Sequence, residues 1–574
     1  MSYRIVNGTF GGIDEHAIIS EAPKNASEIL NLRVKNGYAL SKRPSKILLA
    51  GSGMHTIESL WCGYYKGQKL ILATYGGGLY RYTDRFVKLG DVGYGKCIFF
   101  EFGGYLYIKS PSFYGKYDGE ALQPVTGYVP IVAISCLPDG SGTLYEQINR
   151  LSNERRQRFS CDGSSIIYKL AEDNITSLIS VTINGEPCSI NHSAELPTGH
   201  ISFEAPPPAG LNNMEVTYSK GTMDNGTILD CTHLMQFGGN SDGRIFLWGN
   251  DNYPNYRFYS ELADGVPSAE YFPVNNYTVI GNTAITCIVQ QYNRQLIFTK
   301  DQAYYSYCEL REDQLGNYYS SFPVYNLNSE KGCLIYSGGC VIDNKPVTVC
   351  PDGINVWEST NVENECNARV ISTPIESLIR GVLPSPLNDS AIMFDHRTMH
   401  EFYYIVGDTA FVYNYNNNSW YTFDGLNCSL AAACDTSIYL ATGNRLYRLD
   451  EGITTNETGE CSWTSNFIDP GNGIGRTDLY EVVLDGEIYG TVELTVSCID
   501  GYGNETVLAK YDYMESGPIS RKITVRAPVR RISPFKIKFM TLGQGNIVMK
   551  KFYIKTRTKE RGSRYGIHSN GSIS

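Results

Sequence analysis

The chain has 574 residues, of which 42% are hydrophobic and 19% charged, and it carries a net charge of −10. That much apolar material excludes bulk disorder, and the length predicts two to four domains with cores of their own. The negative balance excludes a general nucleic-acid coat, because affinity for phosphate grows with Lys and Arg contacts that release counterions, but it leaves room for a local basic face.

Aromatic residues reach 12%, with 43 Tyr against 22 Phe and 5 Trp, and 57 Gly punctuate short apolar runs. This composition predicts an all-β fold, since Tyr packs on half-buried strands while its hydroxyl stays wet. The sixteen Cys include no C-x-x-C pair, so they are expected to be buried, reduced thiols and not a zinc ribbon or redox motif. The N-terminus lacks a basic region followed by an apolar run, and no later stretch approaches eighteen consecutive apolar residues. Folding in a cytoplasm, with no membrane segment, is therefore expected.

In chain order, residues 1–49 read as an N-terminal strap. Residues 69–90, 104–125, 294–307, 401–425 and 436–452 then repeat one pattern: a strand, a Gly or Asp turn, a second aromatic strand and a short closing strand. Residues 233–250 and 331–359 fit the same role. This is how antiparallel propeller blades are built, and it predicts a β-propeller of six or seven blades over 50–127 and 222–452, the N-terminal strand closing the last. Between them, 128–221 is predicted to be an insertion. Within it, residues 145–159 form a short linker helix or irregular strap, and 160–220 alternate at period two as a small β-sandwich. Residues 453–557 predict a C-terminal β-sandwich or jelly roll, and 558–574 a flexible tail.

Chemistry-bearing motifs are weak. His396 and His400 have the spacing of helical metal ligands, but apolar strand-like runs flank them, so a turn with solvated imidazoles is the plainer reading. Gly76, Gly77 and Gly78 sit between two strand patterns, without the following helix that a phosphate cradle requires. Asp139 and Asp242 adjoin Gly turns but offer too few oxygens for calcium. A sialidase site would need an Arg triad with a Tyr nucleophile, and the abundance of these residues singles none out. No catalytic residue, cofactor or metal is thus assigned, and the chain is expected not to be an enzyme.

The clearest electrostatic feature is C-terminal: fourteen Lys or Arg against the single acid Glu560 between Arg521 and Arg564. Arg530, Arg531, Lys536, Lys538, Lys550 and Lys551 are the candidates for a patch facing DNA or another subunit, with a solvated, edge-protecting face as the alternative. Trp248, Tyr253 and Tyr256 form a candidate aromatic contact loop.

Residues 245–273 followed by 284–307 resemble a recurring segment of tailed-bacteriophage tail proteins of the hub, nozzle and packaged-DNA-stabilisation group. The resemblance continues in order through 330–339, 352–359, 375–381 and 391–420 into the sandwich that begins at Arg476. Residues 11–16 and the strap up to Leu49 look like that family's N-terminal segment, and the insert around Asp162, Val181 and Ala205 looks like small β-modules of phage virion proteins. The resemblance implies a structural virion protein forming a ring, of six copies, below the portal and adaptor, where DNA leaves the particle. Its partners would be itself, portal or adaptor and other tail proteins, and transiently the exiting DNA. The alternative is a tail receptor-binding or glycan-degrading propeller protein, in which aromatic side chains stack on carbohydrate. A cytoplasmic scaffold with WD-type blades fits less well, because the Gly-His and Trp-Asp signatures of such repeats are missing.

Overall fold

The structure, a computed structural model, describes residues 4–22, 24–238, 243–312, 318–336, 339–359, 368–383, 391–450, 459–471 and 475–560. It is nearly all β: among the described residues the helices are short, at Gly226–Leu229 and Glu376–Arg380, with 3-10 turns at Thr373–Ile375 and Arg397–Met399. No helix is long and apolar enough to cross a membrane among those residues. The chain divides into two compact units, one of Met1–Gly51, Val349–Glu358 and Ala368–Ser574, the other of Ser52–Thr348 and Ser359–Asn367.

The second unit contains four antiparallel four-stranded meanders. The first is Ser59–Tyr65, Gln68–Tyr75, Gly78–Tyr82 and Phe86–Asp91, and the second is Ile98–Phe102, Tyr105–Lys109, Tyr114–Tyr117 and Leu122–Pro124. His233–Phe237, Arg244–Trp248, Tyr256–Tyr259 and Tyr277–Val279 make the third, and Ile285–Gln291, Arg294–Thr299, Ala303–Tyr307 and Val324–Asn328 the fourth. Two-residue turns suit these hairpins because their backbone twist matches that of the strands. Gly76 and Gly77 take φ of +55° and +77°, which a side-chain-bearing residue adopts only with strain. Successive meanders pack face on face. Leu72, Leu79, Leu106 and Ile108 share one buried cluster, Phe100, Tyr107, Ile245 and Leu247 a second, and Trp248, Ile285, Ile288 and Ile297 a third.

A two-sheet insert interrupts this unit. One sheet runs Thr143–Leu144, Ile131–Cys136, Glu154–Cys161, Gly210–Ser219, Ser177–Ile183 and Glu186–Pro187, and the other joins Ile167–Lys169, His200–Phe203 and His192–Glu195. Phe159, Tyr168, Ile201, Phe203, Met214 and Val216 fill the space between them. The linker helix expected over 145–159 does not form. Glu154–Cys161 is a strand with every second residue buried, and the positions between place Arg156 and Arg158 beside Glu215 of the neighbouring strand. The alternation of Arg155, Gln157, Phe159 and Cys161 with polar residues is the period-two signal of a half-buried strand.

In the first unit, Glu401–Val406, Thr409–Asn414 and Ser419–Phe423 follow Ile392–His396 in a meander. The N-terminal strand Ser45–Gly51 supplies the fourth strand to Leu430–Cys434, Ser437–Thr442 and Arg445–Asp450. The C-terminal region is built on a ribbon of two long strands, Gly475–Asp500 and Glu505–Ile532. Phe535–Leu542 pairs with the second half of Gly475–Asp500, and Asn546–Glu560 with its first half. The ribbon folds back on itself near Gly490, whose φ is +76°. In consequence Tyr511 Oη donates to Thr524 O at 3.3 Å, although both lie on one strand, and Phe539 meets Phe552 across the core at 5.4 Å. The segment expected to fray from 558 enters the end of Asn546–Glu560, and residues 561–574 lie outside the described residues. Every described cysteine is a free thiol, and Cys366 lies outside the described residues.

Candidate functional site

The second unit holds a cleft of about 350 Å³, within the range of small-ligand sites, lined by Val132, residues 144–148, Ala171, Glu172, Val274 and Asn275. Its wall is a strand that changes partners. After Thr143–Leu144 pairs with Ala133 and Ile134, the Tyr145 and Glu146 amides donate to the carbonyls of Val132 and Ile131 at 3.0 and 2.9 Å. Beyond them the chain is held from the other side. Val274 N donates to Ile148 O at 3.0 Å, and the Tyr271 hydroxyl to Gln147 O at 2.7 Å. Asn149, 2% exposed, is the pin. Its amide nitrogen donates to the carbonyls of Tyr128 and Glu270 at 2.8 and 2.9 Å, and its amide oxygen accepts from Phe272 N and Leu151 N at 2.9 and 3.1 Å.

Two carboxylates line the cleft. Glu146 accepts the Ile131 amide at 2.6 Å and the Tyr128 hydroxyl at 3.0 Å, and Arg156 donates to that hydroxyl at 3.1 Å. Burial pushes the Glu146 carboxyl above the usual carboxylate range, and these hydrogen bonds only partly oppose it. Glu172 accepts from Arg155 at 2.7 Å and from the Tyr218 hydroxyl at 3.2 Å, with Lys220 at 3.6 Å. The two acids therefore sit in unlike surroundings: Glu146 takes its hydrogen bonds from neutral donors with Arg156 one group further off, whereas Glu172 is bound directly by a guanidinium. Val132, Leu144, Ile148 and Val274 provide apolar wall, and Tyr145 stands 62% exposed at the rim. Acceptor oxygens beside apolar wall and an open aromatic ring suit a ligand with one apolar face and several hydroxyls.

The residues singled out from the sequence lie elsewhere. Trp248 is 2% exposed and stacks on His233 at 5.5 Å, so the indole belongs to the core between two meanders and not to a contact loop. Tyr253 is exposed and Tyr256 half-buried, 5.2 Å apart, with Tyr256 stacked on Tyr277.

The six basic residues do not form one patch. Lys536 and Lys538 pair opposite Ile499 and Ser497, on one half of the folded ribbon, and point away from the buried Phe535, Ile537 and Phe539. Lys551 lies opposite Asp485 on the other half, with Lys550 beside it, and Arg530 and Arg531 follow Val529 towards that half's far end. Several are already engaged. Lys550 pairs with Glu487 at 2.6 Å and Lys538 with Glu505 at 3.8 Å, Lys536 lies 4.6 Å over the Phe467 ring, and Lys551 lies 5.6 Å over Tyr553. The Arg531 amide donates to Asp478 at 3.0 Å, while Arg530 is exposed.

His396 is buried with Nε2 3.2 Å from Asp435 O, and His400 sits edge-on to Tyr415 in a left-handed turn. Asp139 closes an ordinary turn through Ser141, and Asp242 lies outside the described residues. Among the described residues no group of three or more His, Cys, Asp or Glu is placed to hold a metal.

No family model and no curated protein matches this chain. Among solved structures, it is similar to an exo-β-1,3-galactanase from Phanerochaete chrysosporium with galactose, at 10% identity and TM-score 0.17 over 80% of this chain and 95% of that one. It is also similar to a glycoside hydrolase family 43 arabinoxylan arabinofuranohydrolase from Bacillus subtilis, at 8% identity and TM-score 0.18 over 57% and 79%. A third is the carbohydrate-binding module TmCBM61 in complex with β-1,4-galactotriose, at 14% identity and TM-score 0.14 over 21% and 68%. Scores this low carry no argument about what this chain does. The expectation that the chain is not an enzyme is set aside in view of the glycoside hydrolases among these structures, and no activity is assigned to this chain from the likeness.

Proposed function

We propose that this chain engages a glycan in the cleft between residues 144–148 and Val274–Asn275, as the receptor-binding or glycan-degrading component of a phage tail. The observation that carries the reading is the cleft itself, with Glu146 and Glu172 set beside an apolar wall and the exposed Tyr145 ring. A pyranose has the matching surface: C–H groups that pack on an aromatic ring, and hydroxyls that donate to carboxylates. The four-stranded meanders, face-packed in sequence, support a β-propeller whose blades they would be. The phage setting rests on the ordered resemblance of residues 245–273, 284–307 and 391–420 to tail proteins.

A glycan array and a hydrolase screen of the intact chain test the reading, with Tyr145→Ala as the site variant. Specific binding or turnover that falls at least tenfold in Tyr145→Ala, at unchanged thermal stability, is expected. An array and screen without a hit, or a hit that Tyr145→Ala leaves untouched, would remove the cleft from consideration. Mass spectrometry of purified particles tests the phage setting separately.

A further inference from the structure

Among the described residues the 28-residue strand Glu505–Ile532 pairs with Gly475–Asp500 along one side only, so its other side presents a long row of unpaired N–H and C=O groups. Such an edge is a template for pairing with another chain. The register slips between Glu515 and Ile519, and there the strand folds back. One limb, 505–515, is thereby set against the other, 519–532, through the Glu515–Arg521 ion pair and Arg521 lying 5.4 Å over the Tyr513 ring. The two limbs run in opposite directions and carry opposite charge. The first has Glu505, Asp512 and Glu515 against Lys510, whereas the second has Arg521, Lys522, Arg526, Arg530 and Arg531 and no acid. Asp512, Arg526 and Arg530 have no ion-pair partner among the described residues, and Val507 and Met514 are 51% and 84% exposed on the acidic limb.

We propose that this edge pairs with the same edge of a second copy of the chain, the acidic limb of each lying antiparallel to the basic limb of the other. A two-fold axis along the limbs produces that arrangement. It exchanges the two layers while keeping the strand direction, so each acidic limb meets a basic one running the opposite way, as an isologous contact requires. A two-fold axis perpendicular to the two layers would instead keep each limb in its own layer and set acid against acid, which is repulsive and fixes the choice. Pro518 lies within the slipped segment where the strand turns, leaving 505–515 and 519–527 as uninterrupted pairing limbs. The inference is independent of the glycan reading.

Light scattering of the full chain at tens of micromolar tests it, together with two charge variants. One is Glu505→Lys with Asp512→Lys, which makes both limbs basic. The other is Lys522→Glu with Arg526→Glu and Arg530→Glu, which reverses the second limb. The intact chain is expected at twice its 63.9 kDa mass. Each variant alone is expected at the single-chain mass, and an equimolar mixture of the two is expected to recover the doubled mass, which also shows that both variants are folded. A single-chain mass for the unaltered protein overturns the proposal, as does a doubled mass that neither variant reduces or a mixture that stays dissociated. A single-chain protein that instead binds duplex DNA through Arg526 and Arg530 would assign the basic limb to nucleic acid and overturn it too.

Discussion

The guanidinium of Arg33 and the carboxylate of Glu401 form an ion pair at 2.6 Å, with 3% and 0% of their side chains exposed. They come from strands 368 residues apart, Leu32–Lys35 and Glu401–Val406, and Tyr403 and Tyr421 complete the shell by donating to the same carboxylate at 2.8 and 2.5 Å. Removing one partner of a buried pair strands the other charge, which costs about 3–5 kcal/mol, whereas replacing both by apolar side chains costs far less. Glu401→Leu is expected to lose stability of that order in urea unfolding, and Arg33→Met combined with Glu401→Leu to regain most of it. A double variant no better than the single one would show that the pair is not the source of the loss.

Asn149 couples stability to the cleft. Its four hydrogen bonds join the chain entering the cleft to the segment around Phe272. Asn149→Ala leaves two carbonyls and two amides without that partner, for a loss of about 3 kcal/mol. Asn149→Asp keeps the acceptor but sets a buried charged oxygen against the carbonyls of Tyr128 and Glu270, so a loss at least as large as that of Asn149→Ala is expected. Thermal unfolding of the three proteins orders them, and equal midpoints would mean that water replaces the amide without cost.

The meanders were legible because each is local: Tyr75 to Gly78 and Val406 to Thr409 turn within two residues, and the aromatic alternation on either side survives in the sequence. The cleft was not, since residues 145–148 take their conformation from Val132 and Val274, more than a hundred residues apart, and nothing in their own order shows it. Trp248 was misplaced for a related reason. Its neighbours Gly249 and Asn250 mark a turn, but the indole ends a strand whose five residues are all buried. The long ribbon was read as separate short strands because Gly490 and the slip before Ile519 interrupt its alternation, although pairing continues through both.

Glu146 carries a pH signature. Its pKa is raised in the folded protein by burial, so the folded state binds more protons than the unfolded one in the window above the ordinary carboxylate value. The stability tied to this group is therefore present at acid pH and lost as pH rises through the raised value. Glu146→Gln keeps an oxygen acceptor for the Ile131 amide and the Tyr128 hydroxyl without a charge to desolvate. It is expected to flatten that slope and to unfold at higher temperature than the unaltered chain at pH 7. Melting curves from pH 4 to 8 decide the matter, and parallel profiles for the two proteins would contradict it.

His233 should act in the opposite sense. Burial, with the nearby charge of Lys96 adding to it, lowers its pKa from 6.5 to about 4, so between these values the unfolded chain binds a proton that the folded chain refuses. Stability held above pH 6.5 is thus lost progressively as pH falls towards 4, the reverse of the Glu146 trend. The imidazole stacks on Trp248 at 5.5 Å and 17° between planes, so protonation is forced on a ring packed against an indole in the core between two meanders. His233→Phe preserves a flat ring there and removes the titration. The variant is expected to hold its melting temperature from pH 6.5 down to 4 better than the unaltered chain does, with Trp fluorescence reporting the local change. Equal acid sensitivity in both proteins would place the titrating group elsewhere in the chain.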